Sequence, residues 1–389
     1  MKKILTLETL DAKHGDSLIL QYGPAERPNV IVIDGGPPGV YRRTLRERLL
    51  ELKDAIDPRS PLMIKLLMIS HIDDDHIKGV IDLLEELKQE VEDARVPSMK
   101  VEHMWYNTFD DIIGNIELPR ISNSSTAAVA NVLNNNVVLK DLPHDEKAVI
   151  ASTNQGRTLD QLNRFFRIPK NEGEELLTGL QHIRFEDRFT ITVLHPNLER
   201  LEELQTRWDR DLKKAKDRGD DSIIYASLSS RDTSPFNLAS IVCLVKYKSK
   251  RILLTGDARS DDIMAALEKA GLFRRGLCYV DILKIPHHGS DRNLSVEFFQ
   301  KVRAKHYIFS ADGRHHNPDK ASLMMLLEGT KRRNKFTVYF TNGTGKEDLE
   351  GTIEHFRAER KRKRRKFGIE ILDEASGSFK VDLLEPAVL

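Results

Sequence analysis

Between Ile69 and Gly79 the chain reads ISHIDDDHIKG, placing two imidazoles and three carboxylates (His71, Asp73, Asp74, Asp75 and His76) within six positions. Like charges at this spacing repel, and buried ones must be paired with something positive. A pair of divalent cations meets that demand. Two cations roughly 3.5 to 4 Å apart acidify a shared water and polarise a phosphoryl or acyl oxygen, so the chemistry implied is hydrolysis. The apolar run Leu66-Leu67-Met68-Ile69 before this turn reads as a short buried strand. The amphipathic run from Ile77 to Val91 after it reads as a helix, with Asp75 where first-turn acids sit.

Other segments repeat this placement. The strand-like run Val30 to Ile33 ends at Asp34, followed by Gly35-Gly36-Pro37-Pro38. Asp34 there either starts a turn, the ordinary use of Asp-Gly, or lies under the site as a supporting acceptor. Ile191 to Leu194 ends at His195. A hairpin of Ser240 to Tyr247 and Arg251 to Thr255 ends at Gly256-Asp257. Val280 to Ile285 ends at Pro286-His287-His288, and His306 to Ser310 runs into His315-His316. Seven of 13 histidines fall in these strand-end turns, which random placement would not favour.

Strands and helices must deliver these groups. Ile4 to Leu7 and Ser17 to Tyr22, with the run to Ile33, read as an opening β-meander, and residues 41–56 as a surface helix. Regular β/α alternation returns after Asn237. Between them the signals thin out: a strand at Val101 to Tyr106, a small-residue stretch at 122–136, and helices at Leu159 to Phe166 and Leu198 to Arg218. Residues 97–234 are therefore read as an inserted, lid-like region of a single domain spanning 1–389. A last strand is expected at Ser378 to Leu384, inside a basic C-terminal extension at 346–389.

With 61 Lys plus Arg against 60 Asp plus Glu, the net charge of +1 excludes global attraction to nucleic acid or anionic membranes. Attraction must be local, and RAERKRKRRK at 357–366 holds eight basic residues in ten. This run is either a solvated face or a phosphate grip, the latter through Lys361, Arg362, Lys363, Arg364 and Arg365. Cys243 and Cys278 lie in apolar runs and suit buried thiols. The start lacks a signal-peptide pattern, and no apolar run reaches the roughly 18 residues of a membrane span, so a cytoplasmic location without membrane partners is inferred.

Laid out in order, HGDSLIL at 14–20, VIDGG at 32–36, SHIDDDHIKG at 70–79, VLHP at 193–196, NLAS at 237–240, LLTGD at 253–257, DILKIPHHGS at 281–290 and SADGRHHNP at 310–318 resemble the metallo-β-lactamase superfamily. Within it the chain is most similar to the hydrolase domain of the DNA-uptake protein ComEC. Two departures stand out. Asp73 replaces the second histidine of the usual H-x-H-x-D-H, a harder ligand that loosens the expectation of zinc and makes manganese credible. The late turn reads HHNP, leaving His315 and His316 both open.

The resemblance implies an α/β fold, a four-layer αββα sandwich with an inserted middle region, and a site for two divalent metal ions (Zn or Mn). It implies that His71, Asp73 and His195 bind one ion, Asp75, His76 and either His287 or His288 bind the other, and Asp257 bridges them. The histidine of the 287/288 pair left over, or His316, would protonate the leaving group. The function expected is a metal-dependent nuclease or phosphodiesterase acting on nucleic acid or another phosphodiester. The alternatives are a small-molecule hydrolase for a lactone, thioester or cyclic nucleotide, or an effector gated by a protein partner.

Overall fold

The computed structural model describes residues 2–108, 111–112, 144–218, 239–346, 348–373 and 375–384. The small-residue stretch at 122–136 and the first two residues of NLAS lie outside the described residues. The chain opens as an antiparallel meander, β1 (Lys3–Leu10), β2 (Ser17–Pro24) and β3 (Asn29–Gly35). A wide turn at Tyr41–Leu45 leads into α1 (Arg46–Ile56), and β4 (Leu62–Met68) returns parallel to β3. After α2 (Asp74–Glu92), two short strands, β5 (Met99–Val101) and β6 (Met104–Trp105), pair with β4 where one longer strand was expected. Both lie parallel to it.

Next comes α3 (His144–Phe166), which begins well before the expected Leu159 because its first turns are too polar to show a stripe. The second half of the chain comprises β7 (His182–Arg184), β8 (Thr190–His195), α4 (Leu198–Arg218), β9 (Val242–Tyr247) and β10 (Lys250–Leu254). Then α5 (Ser260–Lys269), β11 (Cys278–Lys284), α6 (Val296–Lys301), β12 (Val302–Phe309), α7 (Lys320–Gly329), β13 (Thr337–Phe340), α8 (Leu349–Arg362) and β14 (Gly368–Ile371) alternate. The final strand, β15 (Ser378–Asp382), pairs with β1.

Among the described residues one sheet runs β15-β1-β2-β3-β4-β5, with β6 also on β4, and the other runs β14-β13-β12-β11-β10-β9-β8-β7. Three apolar clusters fix how these sheets stack. Leu7, Leu20, Ile33 and Met68 of the first sheet meet Val193, Cys243, Leu254 and Ile308 of the second in a central core. The outer face of the first sheet is covered by α1, α2 and α3 through Leu49, Leu84 and Leu159. Helices α5 to α8 cover the outer face of the second through Leu267, Phe298, Leu326 and Phe356. Helix, sheet, sheet, helix: the fold is the four-layer αββα sandwich. Strands buried on both faces explain why β4 and β11 read as nearly continuous apolar runs.

Strands of the middle region belong to the sandwich, since β5 and β6 extend one sheet and β7 and β8 the other, while α3 packs across α2 as an added layer. The C-terminal segment likewise supplies an edge strand to each sheet. Both cysteines are free and buried. No helix among the described residues is long and apolar enough to cross a membrane.

One backbone crossing holds the ligand turn in place. A Cβ added at Gly79 would lie 1.9 Å from the Gly35 carbonyl oxygen, and one at Gly35 would lie 2.3 Å from the Val80 nitrogen. No flexible side chain is available to move aside. Gly79→Ala should therefore cost about 3 kcal/mol, the upper range for overpacking, as measured by urea denaturation. A loss within about 0.5 kcal/mol, the range of a surface substitution, would show that the crossing yields freely.

Candidate metal centre

Of the histidines and carboxylates singled out at the strand ends, His71, Asp73, Asp75, His76, Asp257, His287 and His288 converge at one end of the sandwich, beyond the ends of β4, β10 and β11. Backbone and carboxylate partners set the direction of each ring. Asp34 accepts from the Ser70 amide at 2.7 Å and the Ser70 hydroxyl at 2.8 Å, and lies 2.9 Å from His76 Nδ1. Nδ1 is thereby engaged by Asp34, and Nε2 is the nitrogen that faces the cluster. His288 Nδ1 donates to the Ser310 carbonyl at 2.9 Å, and His195 Nδ1 to the Ser240 carbonyl at 2.9 Å. Holding the outer nitrogen in this way fixes the tautomer and aims the other nitrogen at a ligand.

Asp257 stands between two sets of donors. Its Oδ1 lies 3.3 Å from His76 Nε2 and 3.5 Å from His288 Nε2, while its Oδ2 lies 3.8 Å from His71 Nε2 and 3.5 Å from His287 Nε2. His71 Nε2 is also 3.7 Å from Asp73 Oδ2, and His288 Nε2 is 3.3 Å from Asp75 Oδ2. Donor atoms of Asp75, His76, Asp257 and His288 all fall within 4.8 Å of one another. The pair His287/His288 thus divides between the two oxygens of one carboxylate. Left-handed backbone at both residues (φ 46° and 55°) accompanies this split.

Charges in the cluster are mutually dependent. Burial opposes a charge on His76 and His288, but Asp257, with Asp75 and Asp34 at His76 and Asp16 at His288, outweighs it and holds both imidazoles well above their usual range. Burial also opposes ionisation of Asp257, yet the four surrounding histidines hold it well below the carboxylate range. His71 lacks such support: burial, then the neighbouring His76, pushes it down to about 3. Burial together with Asp75 and Asp257 pushes Asp73 up to about 7.

The residues fit divalent cations. His71 Nε2, His195 Nε2 and Asp257 Oδ1 are buried without a hydrogen-bond partner. Such orphaned groups cost about 1–3 kcal/mol each unless something satisfies them. Neutral imidazole nitrogens and carboxylate oxygens are the donor set of zinc and manganese sites. Asp16, Asp34 and His76 form a second acidic group, but its carboxylates are committed to Lys284 and Ser70. That group supports the cluster.

The expectation that one of His287 and His288 is a ligand and the other a proton donor meets an arrangement in which both rings face Asp257 and His288 has its Nε2 among the clustered donors. The basic run was expected as a solvated face or a phosphate grip. Arg365 is buried, its guanidinium donating to Leu327 O at 2.5 Å, Thr330 Oγ1 at 2.6 Å and Lys331 O at 3.1 Å, so it is unavailable to a substrate. Lys361, Arg362, Lys363 and Arg364 follow or end α8, which carries them away from the cluster. His316 and His315 are exposed in the turn Arg314–His316.

Several neighbours of the cluster were not assigned roles from sequence. Lys284 forms an ion pair with Asp16, side chains 1% and 2% exposed, and Asp16 Oδ1 lies 3.5 Å from His288 Nδ1. A lysine inside the apolar run ILKIP was the signal available. Arg314 Nη1 lies 3.2 Å from His14 Nε2, and burial pushes His14 down to about 4 despite the nearby Asp75. From the middle region, α3 reaches the ligand turn: Ser152 donates to Asp73 Oδ1 at 3.1 Å and Gln155 to Asp74 Oδ1 at 2.6 Å.

No protein family's sequence model matches the chain. Among solved structures, it is similar to a variant of the β-hydroxylase CmlA at 10% identity, with a TM-score of 0.39, over 98% of this chain and 54% of that one. It is also similar to a protein of unknown function from Enterococcus faecalis at 12% identity, with a TM-score of 0.29, over 95% and 88%. The chain thus spans about half the length of the CmlA chain. Likeness at this level does not bear on the chemistry.

Proposed function

We propose that the chain is a metal-dependent phosphodiesterase of the ComEC-like branch of the metallo-β-lactamase superfamily, acting as a nuclease. The observation that carries this reading is the two-sided arrangement about Asp257, whose separate oxygens face His76 with His288 and His71 with His287. When bound there, two divalent cations supply Lewis acidity toward a phosphoryl oxygen and a nucleophile at neutral pH. A phosphodiester gains negative charge at its non-bridging and leaving oxygens in the transition state, which suits a cationic site.

The chain's own residues do the positioning. Asp34 and Ser70 hold the His76 ring, the Ser310 carbonyl holds His288, and the Ser240 carbonyl holds His195. Arg314 brings a guanidinium to His14 at the edge of the cluster, where it complements an incoming phosphate. With His287 and His288 both turned to Asp257, the leaving-group proton is assigned to His316, exposed in the same turn as Arg314.

Cleavage of single- and double-stranded DNA and RNA in manganese, zinc or magnesium tests this reading, with Asp75→Ala as the control. Cleavage is expected in at least one metal and lost in the control. A metal-loaded protein that cuts none of the four substrates would overturn the nuclease assignment.

A further inference from the structure

The molecule carries a second strongly cationic feature, made by the fold from two stretches distant in sequence. Residues 331–335 (KRRNK) hold four basic side chains and 360–366 (RKRKRRK) seven, in a chain whose net charge is only +1. Arg365 turns inward and clasps the first stretch through Thr330 Oγ1 and Lys331 O, while Gly368 N donates to Phe336 O at 2.9 Å. Phe336 and Phe367 stack beneath with ring centroids 4.3 Å apart. The two stretches therefore lie side by side, one leading into β13 and the other into β14.

Their location is at the pole of the sheet opposite the metal cluster. Strands β11 to β14 are parallel, the cluster sits beyond the carboxyl ends of β11 and β12, and both basic stretches precede the amino ends of β13 and β14. The amino end of α8 lies near the cluster side, where Lys346 N donates to Asp312 O at 2.7 Å. Fourteen helical residues carry the chain ~20 Å from there to the basic pole. Carboxylates at that pole are already engaged, Glu359 by Arg362 at 2.7 Å and Glu328 by Lys363 at 3.9 Å. Arg332, Arg333, Lys335, Lys361, Arg364 and Lys366 are exposed, and no carboxylate among the described residues pairs with them.

We infer that this pole is a docking surface for the phosphate backbone of nucleic acid, separate from the metal cluster and on the far side of the sheet. Its cations are concentrated in a chain whose remaining residues carry an acidic excess, since the two stretches hold 11 of the 61 Lys plus Arg and none of the 60 Asp plus Glu, which is the footprint of a polyanion site. Among the large hydrophobic side chains exposed in the described residues none lies within 329–367, and the two basic stretches carry no apolar wedge of their own; Tyr279, at the amino end of β11, stands on the same pole. Binding by charge alone is independent of sequence and falls steeply with salt. A strand held here is tethered to the protein without occupying the cluster, and the inference stands whether or not the cluster cuts nucleic acid.

Fluorescence anisotropy of a labelled DNA duplex, titrated with metal-free protein over a salt series, reads binding without turnover. Two variants address the two stretches: Arg332→Ala/Arg333→Ala/Lys335→Ala and Lys361→Ala/Arg364→Ala/Lys366→Ala. Each should weaken binding about tenfold or more at low salt and flatten the salt slope by about one for every phosphate no longer neutralised, and both should leave the melting temperature near that of the parent. Unchanged affinity in either variant would overturn the composite surface. Binding of anionic phospholipid vesicles without binding of the duplex would overturn the nucleic-acid assignment. Failure of the hydrolytic reading shows instead as absent cleavage by a protein that still binds the duplex.

Discussion

Asp257→Asn protein is expected to hold less metal than the parent and to lose hydrolytic activity by at least about a thousandfold, some 4 kcal/mol of transition-state stabilisation. The substitution preserves shape and removes the charge on which both sides of the cluster depend. Asp257 is the carboxylate whose two oxygens face four imidazoles, at 3.3 to 3.8 Å. An amide in its place presents an NH2 group to one side, where it repels a cation. Elemental analysis of the purified protein and rates on a phosphodiester check the two parts separately. Full metal content with full activity would remove Asp257 from the bridging position. Lost activity with full metal content would limit its role to the reaction itself.

Lys284→Met should destabilise the protein by about 3–5 kcal/mol, among the largest effects of any single substitution outside the clustered donors. Lys284 and Asp16 are both almost completely buried, and each is the other's direct partner. Removing the ammonium leaves the buried Asp16 without its direct partner, with only the rings of His288 and His76, at 3.5 and 4.0 Å, to offset its charge. Asp16 also lies 3.5 Å from His288 Nδ1, so its displacement disturbs the ring that Ser310 orients. Replacing the pair together, as Lys284→Met/Asp16→Asn, should recover most of the stability while metal affinity stays reduced. Urea denaturation and metal titration of the single and double variants measure both effects. Additive losses in the double variant would mean that the two groups act independently and that the ion pair contributes little.

Much of the site was legible in the sequence because its groups sit at strand ends, and strand ends are marked locally. An apolar run stopping at His71, His195, Asp257 or His287 needs no tertiary information to be seen. Periodicity gave the buried strands and amphipathic helices, whereas the two-sheet sandwich with helices outside was what the resemblance of the motifs implied. Helix α4 was read to its observed bounds, Leu198–Arg218. The polar start of α3 was not, since a helix stabilised by lying across another shows no strong stripe over its first turns.

Tertiary structure alone decided which oxygen of Asp257 each histidine faces, because His287 and His288 are adjacent in sequence and only their left-handed backbone separates their rings. It also decided the roles of Asp16 and Lys284, which are 268 positions apart and acquire a role only when β2 and β11 bring them into one buried pair. The basic run shows the same division. Its charge is local and was visible at once. Its distance from the metal cluster, the inward turn of Arg365 and its union with residues 331–335 are set by the length of α8 and the parallel order of β12, β13 and β14. Residue type and spacing determine what chemistry a segment can do, whereas which segments share a site depends on contacts between residues far apart in the chain, and no local pattern records those.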